Sequence, residues 1–196
     1  MESTEQKTDL AHPKNNQSSP ERAREDMLAA RLMAGERAAA AELVDRYYQQ
    51  IYLFMRGLGH DHQVSEDLTQ ETFFRAWHHI GQLKDGKALN AWLYRIAGNV
   101  SRLYWRRHKD KETVSIEKIV LPDDSKAQHN KVEHFEQLTQ LKDAIRRLPW
   151  KLRQTIVLHY MQHLSIAEAA EAAGVREGTF KSRLNRALKI LRKQVT

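Results

Sequence analysis

Arg176, Lys181, Ser182, Arg183, Asn185 and Arg186 crowd one short segment near the C-terminal end. Cations mixed with a hydroxyl and an amide suit contact with phosphates and base edges. In a second set, Trp92, Tyr94, Tyr104 and Trp105 interleave with Arg95, Arg102, Arg106 and Arg107. Aromatic faces combined with cations are what sequence-tolerant capture of a single strand needs. Asn99, inside that run, carries an amide able to bond a base edge in two directions. A third set, Asp67, Gln70 and Glu71, gives an acidic, amide-bearing surface suited to an arginine-rich partner helix, with Phe73 and Trp77 holding its helix to the core. The plainer alternatives are a solvated acidic face, core aromatics and an amphipathic hairpin with a basic side.

The histidines raise metal binding, since His60, His62, His78 and His79 could in principle meet. Adjacent rings on a helix point about 100° apart, so these are read as surface or loop residues and no metal site is expected. The absence of cysteine excludes disulfides and thiolate sites. A site-specific recombinase would need a nucleophilic Ser or Tyr beside converging arginines, but Ser3, Ser18 and Ser19 lie in a polar stretch with little to bury. Neither an enzyme nor a cofactor is expected.

These residues must be positioned by helices. Residues 1–21 are expected to be a disordered tail. Met27, Leu28, Leu32 and Met33 then predict a short helix ended near Gly35, and Ala40, Leu43, Val44, Tyr47, Ile51, Phe54 and Leu58 a long one. A third runs over about 64–80 with Phe73, Ala76, Trp77 and Ile80 inward. A fourth begins near Ala88 and continues through Trp92, Leu93, Ile96 and Val100 into a basic end. Residues 110–134 lose the period and carry Pro122 among charges, as an exposed linker does. Beyond it Leu138, Leu141, Ile145 and Leu148 predict a helix stopped at Pro149, followed by another through Leu152, Ile156, Val157 and Tyr160. Ser165 and Glu168 then form an S-x-x-E capping box, Gly174 allows a sharp turn, Val175 plugs the angle, and Phe180, Leu184, Ala187, Leu188 and Leu191 face the core. That is a helix-turn-helix. The fold class expected is all-α: two small helical domains over 22–109 and 135–196 joined by the linker 110–134.

With 196 residues, a net charge of +7 and a pI near 9.6, the chain suits a polyanionic partner. Residues 1–25 lack the apolar segment of a secretory signal and no run approaches membrane-spanning length, so a cytoplasmic protein without membrane insertion is expected.

Three blocks stand in fixed order: DLTQETFFRAW over 67–77, AWLYRIAGN over 91–99 and GTFKSRLNRA over 178–187. Together they resemble the extracytoplasmic-function sigma factors of bacterial RNA polymerase, over about residues 24–193. The resemblance implies that Asp67, Gln70, Glu71 and Arg75 face the largest subunit of core RNA polymerase. It also implies that residues 92–107 melt the downstream promoter element and hold its non-template strand, with Arg95, Asn99, Arg102, Tyr104, Trp105 and Arg106 in contact. The loop at 81–90, with Lys84, Lys87 and Asn90, resembles the family's variable specificity loop. Arg176, Gly178, Thr179, Lys181, Ser182, Arg183, Asn185 and Arg186 are implied to contact the upstream element as duplex DNA, and an anti-sigma factor is a further implied partner. A transcriptional regulator that binds duplex DNA without replacing sigma would lack the melting and docking segments. The sequence departs from the family at Leu103, where an aspartate is common, and at Phe180, where valine is usual and a larger plug now sits beneath the recognition helix.

Overall fold

The computed structural model describes residues 19–83, 85–108 and 131–195, and the side chains of 19–22, 87, 131–138 and 195 lie outside that description. Residues 1–18 of the tail read at 1–21, residues 110–130 of the linker read at 110–134, and Lys84 therefore fall outside the described residues, as does the Lys87 side chain.

Among the described residues the secondary structure is helical throughout. Helix α1 spans Ser19–Met33 and α2 spans Arg37–Gly57. α2 buries Ala39, Leu43, Tyr47, Ile51 and Phe54, an i, i+3/i+4 series that makes one continuous apolar stripe. Tyr47 reaches out of that stripe to donate to Glu25 Oε1 at 2.9 Å, so the one polar atom it buries is satisfied by α1. Helix α3, His62–His78, starts where the Asp61 carboxylate accepts from the Val64 amide at 2.7 Å. Its inner face is small, and the buried Thr69 and Thr72 hydroxyls return to the Ser65 and Leu68 carbonyls at 2.7 Å.

Trp77 departs from its expected inward place. It is 36% exposed, whereas Phe73 is buried. Each residue turns the helix by about 100°, so Trp77 sits about 40° beyond Phe73, past the edge of the buried arc centred on Thr69, Thr72 and Ala76. Two short 3₁₀ turns, Ile80–Gln82 and Gly86–Ala88, lead into α4, Leu89–His108.

The second half opens with α5, Lys131–Arg147, which begins inside the stretch read as linker because Val132 and Phe135 continue the spacing of Leu138 and Leu141. α6, Trp150–Ile156, follows Pro149 and runs into a π-helical turn, Val157–Met161, which periodicity alone does not signal. There the Gln162 amide bonds back to the Val157 carbonyl at 3.0 Å, and His163 takes a positive φ of 54°. α7, Ile166–Ala172, carries the full capping box: the Glu168 amide donates to Ser165 Oγ at 3.3 Å and the Ser165 amide to Glu168 Oε2 at 2.9 Å. Gly174 turns the chain at φ 65°, and α8, Glu177–Val195, completes the helix-turn-helix.

A smaller apolar cluster, including Ile145, Leu148, Leu152, Leu184 and Leu191, ties α5, α6 and α8 together. The larger cluster crosses between the halves. It runs from Tyr47, Phe54 and Leu93 to Val157, Leu164, Ala169 and Phe180, with α7 laid against α4.

Candidate nucleic-acid and partner interfaces

Helical geometry gathers Trp92, Arg95, Asn99, Arg102 and Arg106 on one side of α4, because steps of three and four residues keep them within about 80° of arc. Arg95, Asn99, Arg102 and Arg106 are exposed and Trp92 is half-buried. Arg102 donates to Asn99 Oδ1 in a long hydrogen bond of 3.4 Å that leaves the amide N–H groups of Asn99 available. This surface can hold phosphates along its length with one amide at its centre.

Tyr104 and Trp105 are not brought to that side. Both are half-buried and packed against His60, whose ring lies 5.0 Å from the Trp105 ring and 5.2 Å from the Tyr104 ring. Tyr94 is buried with its hydroxyl donating to Gln162 Oε1 at 2.7 Å, and burial with the nearby Tyr47 raises its pKa. Asn90 is half-buried at the start of α4. Leu103, together with Leu68, Val100 and Tyr104, lines a cleft of about 260 Å³ between α3 and α4, edged by Glu71 and Arg75.

His60 departs from the surface placement expected of it. It is only 4% exposed, and Nε2 shares a 2.8 Å hydrogen bond with the Ser101 hydroxyl. Burial, helped by the Arg153 guanidinium, lowers its pKa to about 3. Because the unfolded chain titrates near the ordinary histidine value of ~6.5, the unfolded state gains a proton that the folded state refuses as pH falls from 6.5 towards 3. The native state should therefore lose about 2 kcal/mol between pH 6.5 and 5. Thermal melts of the native chain and of His60→Gln across that range check this, with the variant expected to show the flatter acid limb. Equal slopes in the two proteins would place the acid sensitivity elsewhere.

On α3, Asp67, Gln70, Glu71 and Arg75 line the outer side. Arg75 Nε and Glu71 Oε1 form an i, i+4 ion pair at 2.6 Å, and Gln63 donates to Asp67 at 3.4 Å. Sequence reasoning passed over Phe74, which stands between Asp67 and Gln70 on this side, 60% exposed, with its ring 4.1 Å from that of His78. A second aromatic after Phe73 was the available signal, since two adjacent helical positions cannot both face the core.

On α8, Gly178, Thr179, Lys181, Ser182, Asn185 and Arg186 are exposed, as is Arg176 just before the helix, while Arg183 is half-buried. Lys181 pairs with Glu177 at 3.7 Å, and the Ser182 hydroxyl donates to the Gly178 carbonyl at 2.9 Å, leaving its lone pairs outward. Phe180, Leu184, Ala187 and Leu191 are buried on the opposite side. Lys189 and Lys193, exposed one and two turns beyond, extend the basic surface past the segment singled out in the sequence.

Family comparison fits this arrangement. The model for sigma-70 region 2 matches residues 43–111, and that for sigma-70 region 4 matches residues 138–191. The ECF RNA polymerase sigma factor SigW of Bacillus subtilis (strain 168) is 34% identical, over 82% of this chain and 91% of the relative. The chain belongs to the ECF RNA polymerase sigma factors. SigM, another ECF sigma factor of that organism, is 32% identical over 74% of this sigma factor and 88% of its own length. Among solved structures, the sigma factor RpoE of Bartonella quintana, in complex with the anti-sigma factor NepR, superposes with a TM-score of 0.59 at 28% identity. It covers 79% of this chain and 95% of that one. CnrH, in complex with the cytosolic domain of CnrY, shares the fold with a TM-score of 0.66 at 24% identity, over 86% and 95% of the two chains. A sigma factor directs RNA polymerase to promoters, and this one combines a region 2 carrying α3 and α4 with a region 4 carrying the helix-turn-helix. Among the described residues no helix is long and apolar enough to cross a membrane.

Proposed function

We propose that this sigma factor divides promoter-directed initiation among three surfaces. The outer side of α3 docks on core RNA polymerase through Asp67, Gln70, Glu71 and Arg75, with Phe74 as the apolar anchor inside a polar rim. Trp92, Arg95, Asn99, Arg102 and Arg106 hold the melted non-template strand, and Lys84, Lys87 and Asn90, within residues 81–90, set the preference for the downstream element. The exposed side of α8, with Arg176 ahead of it, reads the upstream element as duplex. The observation that carries the reading is the gathering of four exposed polar side chains, three of them arginines, on one side of α4, apart from the α3 side. Residues 22–109 and 135–196 are the two working units and 110–134 the connection between them. The protein acts as an initiation factor without chemistry of its own, in the bacterial cytoplasm, and an anti-sigma factor holds it in check as NepR is seen bound to RpoE.

The division of labour predicts different mutant behaviour. Arg186 can reach base edges and its removal should relax upstream-element preference, whereas Arg176 before the helix meets phosphate. Arg176→Ala should weaken binding to all sequences and lower the salt-dependence slope by about one unit. Asn99→Ala should cost about 1–3 kcal/mol of discrimination at one downstream position. Holoenzyme affinity for promoter DNA and for versions scrambled at either element, measured across a salt series, checks all three. Equal losses on cognate and scrambled DNA for Arg176→Ala and Arg186→Ala would make α8 a non-specific clamp.

A further inference from the structure

Helix α1 stands ahead of the stretch matched by the region 2 model, which begins at residue 43, and it supplies no residue to the three surfaces. It is nonetheless packed against the turn Gly86–Ala88, inside the segment 81–90. A Cβ at Gly86 would lie 3.1 Å from Ala29 Cβ, 3.2 Å from Asp26 Cα and 3.2 Å from Asp26 Oδ1. The Asp26 Cα is backbone and cannot swing aside. Gly86 takes no positive φ, so what the turn draws from this glycine is close approach rather than backbone freedom. Asp26 and Ala29, one helical turn apart, form the seat on which the bare Gly86 backbone rests. A Cβ at Gly81 would meet nothing within 4 Å, so of the segment's two glycines only Gly86 is pressed against a neighbour.

The seat is firmer than what it carries. Glu25, beside Asp26, accepts from the buried Tyr47 of α2 at 2.9 Å, Arg31 bonds Glu42 of α2 at 2.6 Å, and Leu28 and Leu32 are buried in the larger apolar cluster. Leu83 and Leu89 enter that same cluster on either side of the turn. Between these two leucines the Ala88 amide donates to the Asp85 carbonyl at 3.0 Å, closing a 3₁₀ turn, whose geometry is poorer than that of an α-helix. A methyl added at 86 would therefore displace the turn and not α1. Ordinary carbon–carbon contact is about 3.5–4.0 Å, so relief takes roughly half an ångström. Base-edge hydrogen bonds hold only over about 2.7–3.2 Å, so a shift of that size is small for the fold and large for readout.

We propose that α1 is a positioning element for downstream-element preference: Asp26 and Ala29 seat the turn at Gly86 and so set where that turn meets the unpaired strand, without touching DNA themselves. This rests on the reading that residues within 81–90 set the preference. Lys87 is joined directly to Gly86, so its backbone is carried by any displacement of the turn.

Transcription by core polymerase with the full chain, from the cognate promoter and from promoters changed one base at a time in either element, gives a discrimination profile for each variant. Gly86→Ala should lower discrimination by about fivefold or more at one downstream position. Its upstream discrimination, affinity for core polymerase and helical signal should stay as in the native chain. Adding Ala29→Gly, which removes the methyl 3.1 Å away, should restore part of the loss, and Asp26→Ala, outside the segment, should alter the same position. Met27→Gln, exposed on α1 beside Asp26, should alter none. A downstream profile unchanged by Gly86→Ala, or a changed one that Ala29→Gly does not restore and Asp26→Ala does not reproduce, overturns the inference. If Gly86→Ala fails to fold, Asp26→Ala decides alone, and a profile no different from that of Met27→Gln overturns it. Lys87→Ala separates the two levels. A downstream profile unchanged there removes the reading of the segment and the role of α1 with it. A profile changed by Lys87→Ala but by neither Gly86→Ala nor Asp26→Ala removes the role of α1 alone.

Discussion

Replacing Phe180 by alanine should cost about 3–5 kcal/mol of stability, because a fully buried aromatic ring leaves a cavity that its neighbours fill only in part. The ring is the plug beneath the recognition helix, and it belongs to the apolar cluster that also contains Leu158, Leu164 and Ala169. Its loss should therefore loosen the helix-turn-helix and the junction with region 2 together. Phe180→Val, which restores the residue usual in the family, should lose less than half as much. Denaturant unfolding of the three proteins checks the order. A Phe180→Ala chain within about 1 kcal/mol of the native protein would mean that the core collapses around the gap and that the larger plug has no structural role.

Gln70→Ala combined with Glu71→Lys should weaken binding to core polymerase by a factor of ten or more while leaving the melting temperature within a few degrees. Gln70 is exposed and Glu71 is half-buried, bonded among the described residues only to Arg75 of its own helix, so the fold loses little. Reversing a charge at a polar rim opposes an arginine-rich partner directly, and Arg75 is then left facing a lysine. Phe74→Ala should act in the same direction with less salt dependence, because an apolar anchor contributes through burial. Affinity for purified core polymerase at two salt concentrations separates the two effects. Unchanged affinity in the double variant and in Phe74→Ala would remove α3 from the docking surface.

The residues that made the fold legible are those in which period, cap and turn agree. The Ser165 and Glu168 box, the positive-φ Gly174 and the stripe of Phe180, Leu184, Ala187 and Leu191 specify the helix-turn-helix locally, and each stands in the structure as its spacing requires. What was not legible depends on contacts distant in sequence. Periodicity places Trp77 near the edge of a stripe but does not show that this edge is left partly open. His60 follows a helix end and reads as a loop residue; only the arrival of Ser101, Trp105 and Arg153 buries it. Tyr104 and Trp105 have the composition of a strand-binding surface, yet their angular position on α4 turns them towards His60. The junction between the halves left its mark only as glycines at 57, 59 and 98, which the sequence presents as helix ends and a small residue in α4.

Run-off transcription from a promoter fragment by purified core polymerase, with and without this chain, tests the central reading most directly. The account predicts a discrete, promoter-dependent transcript only when both are present, lost when Gln70 and Glu71 are changed and when either promoter element is scrambled. A transcript pattern identical to that of core polymerase alone, with chain and polymerase failing to co-elute, would contradict it.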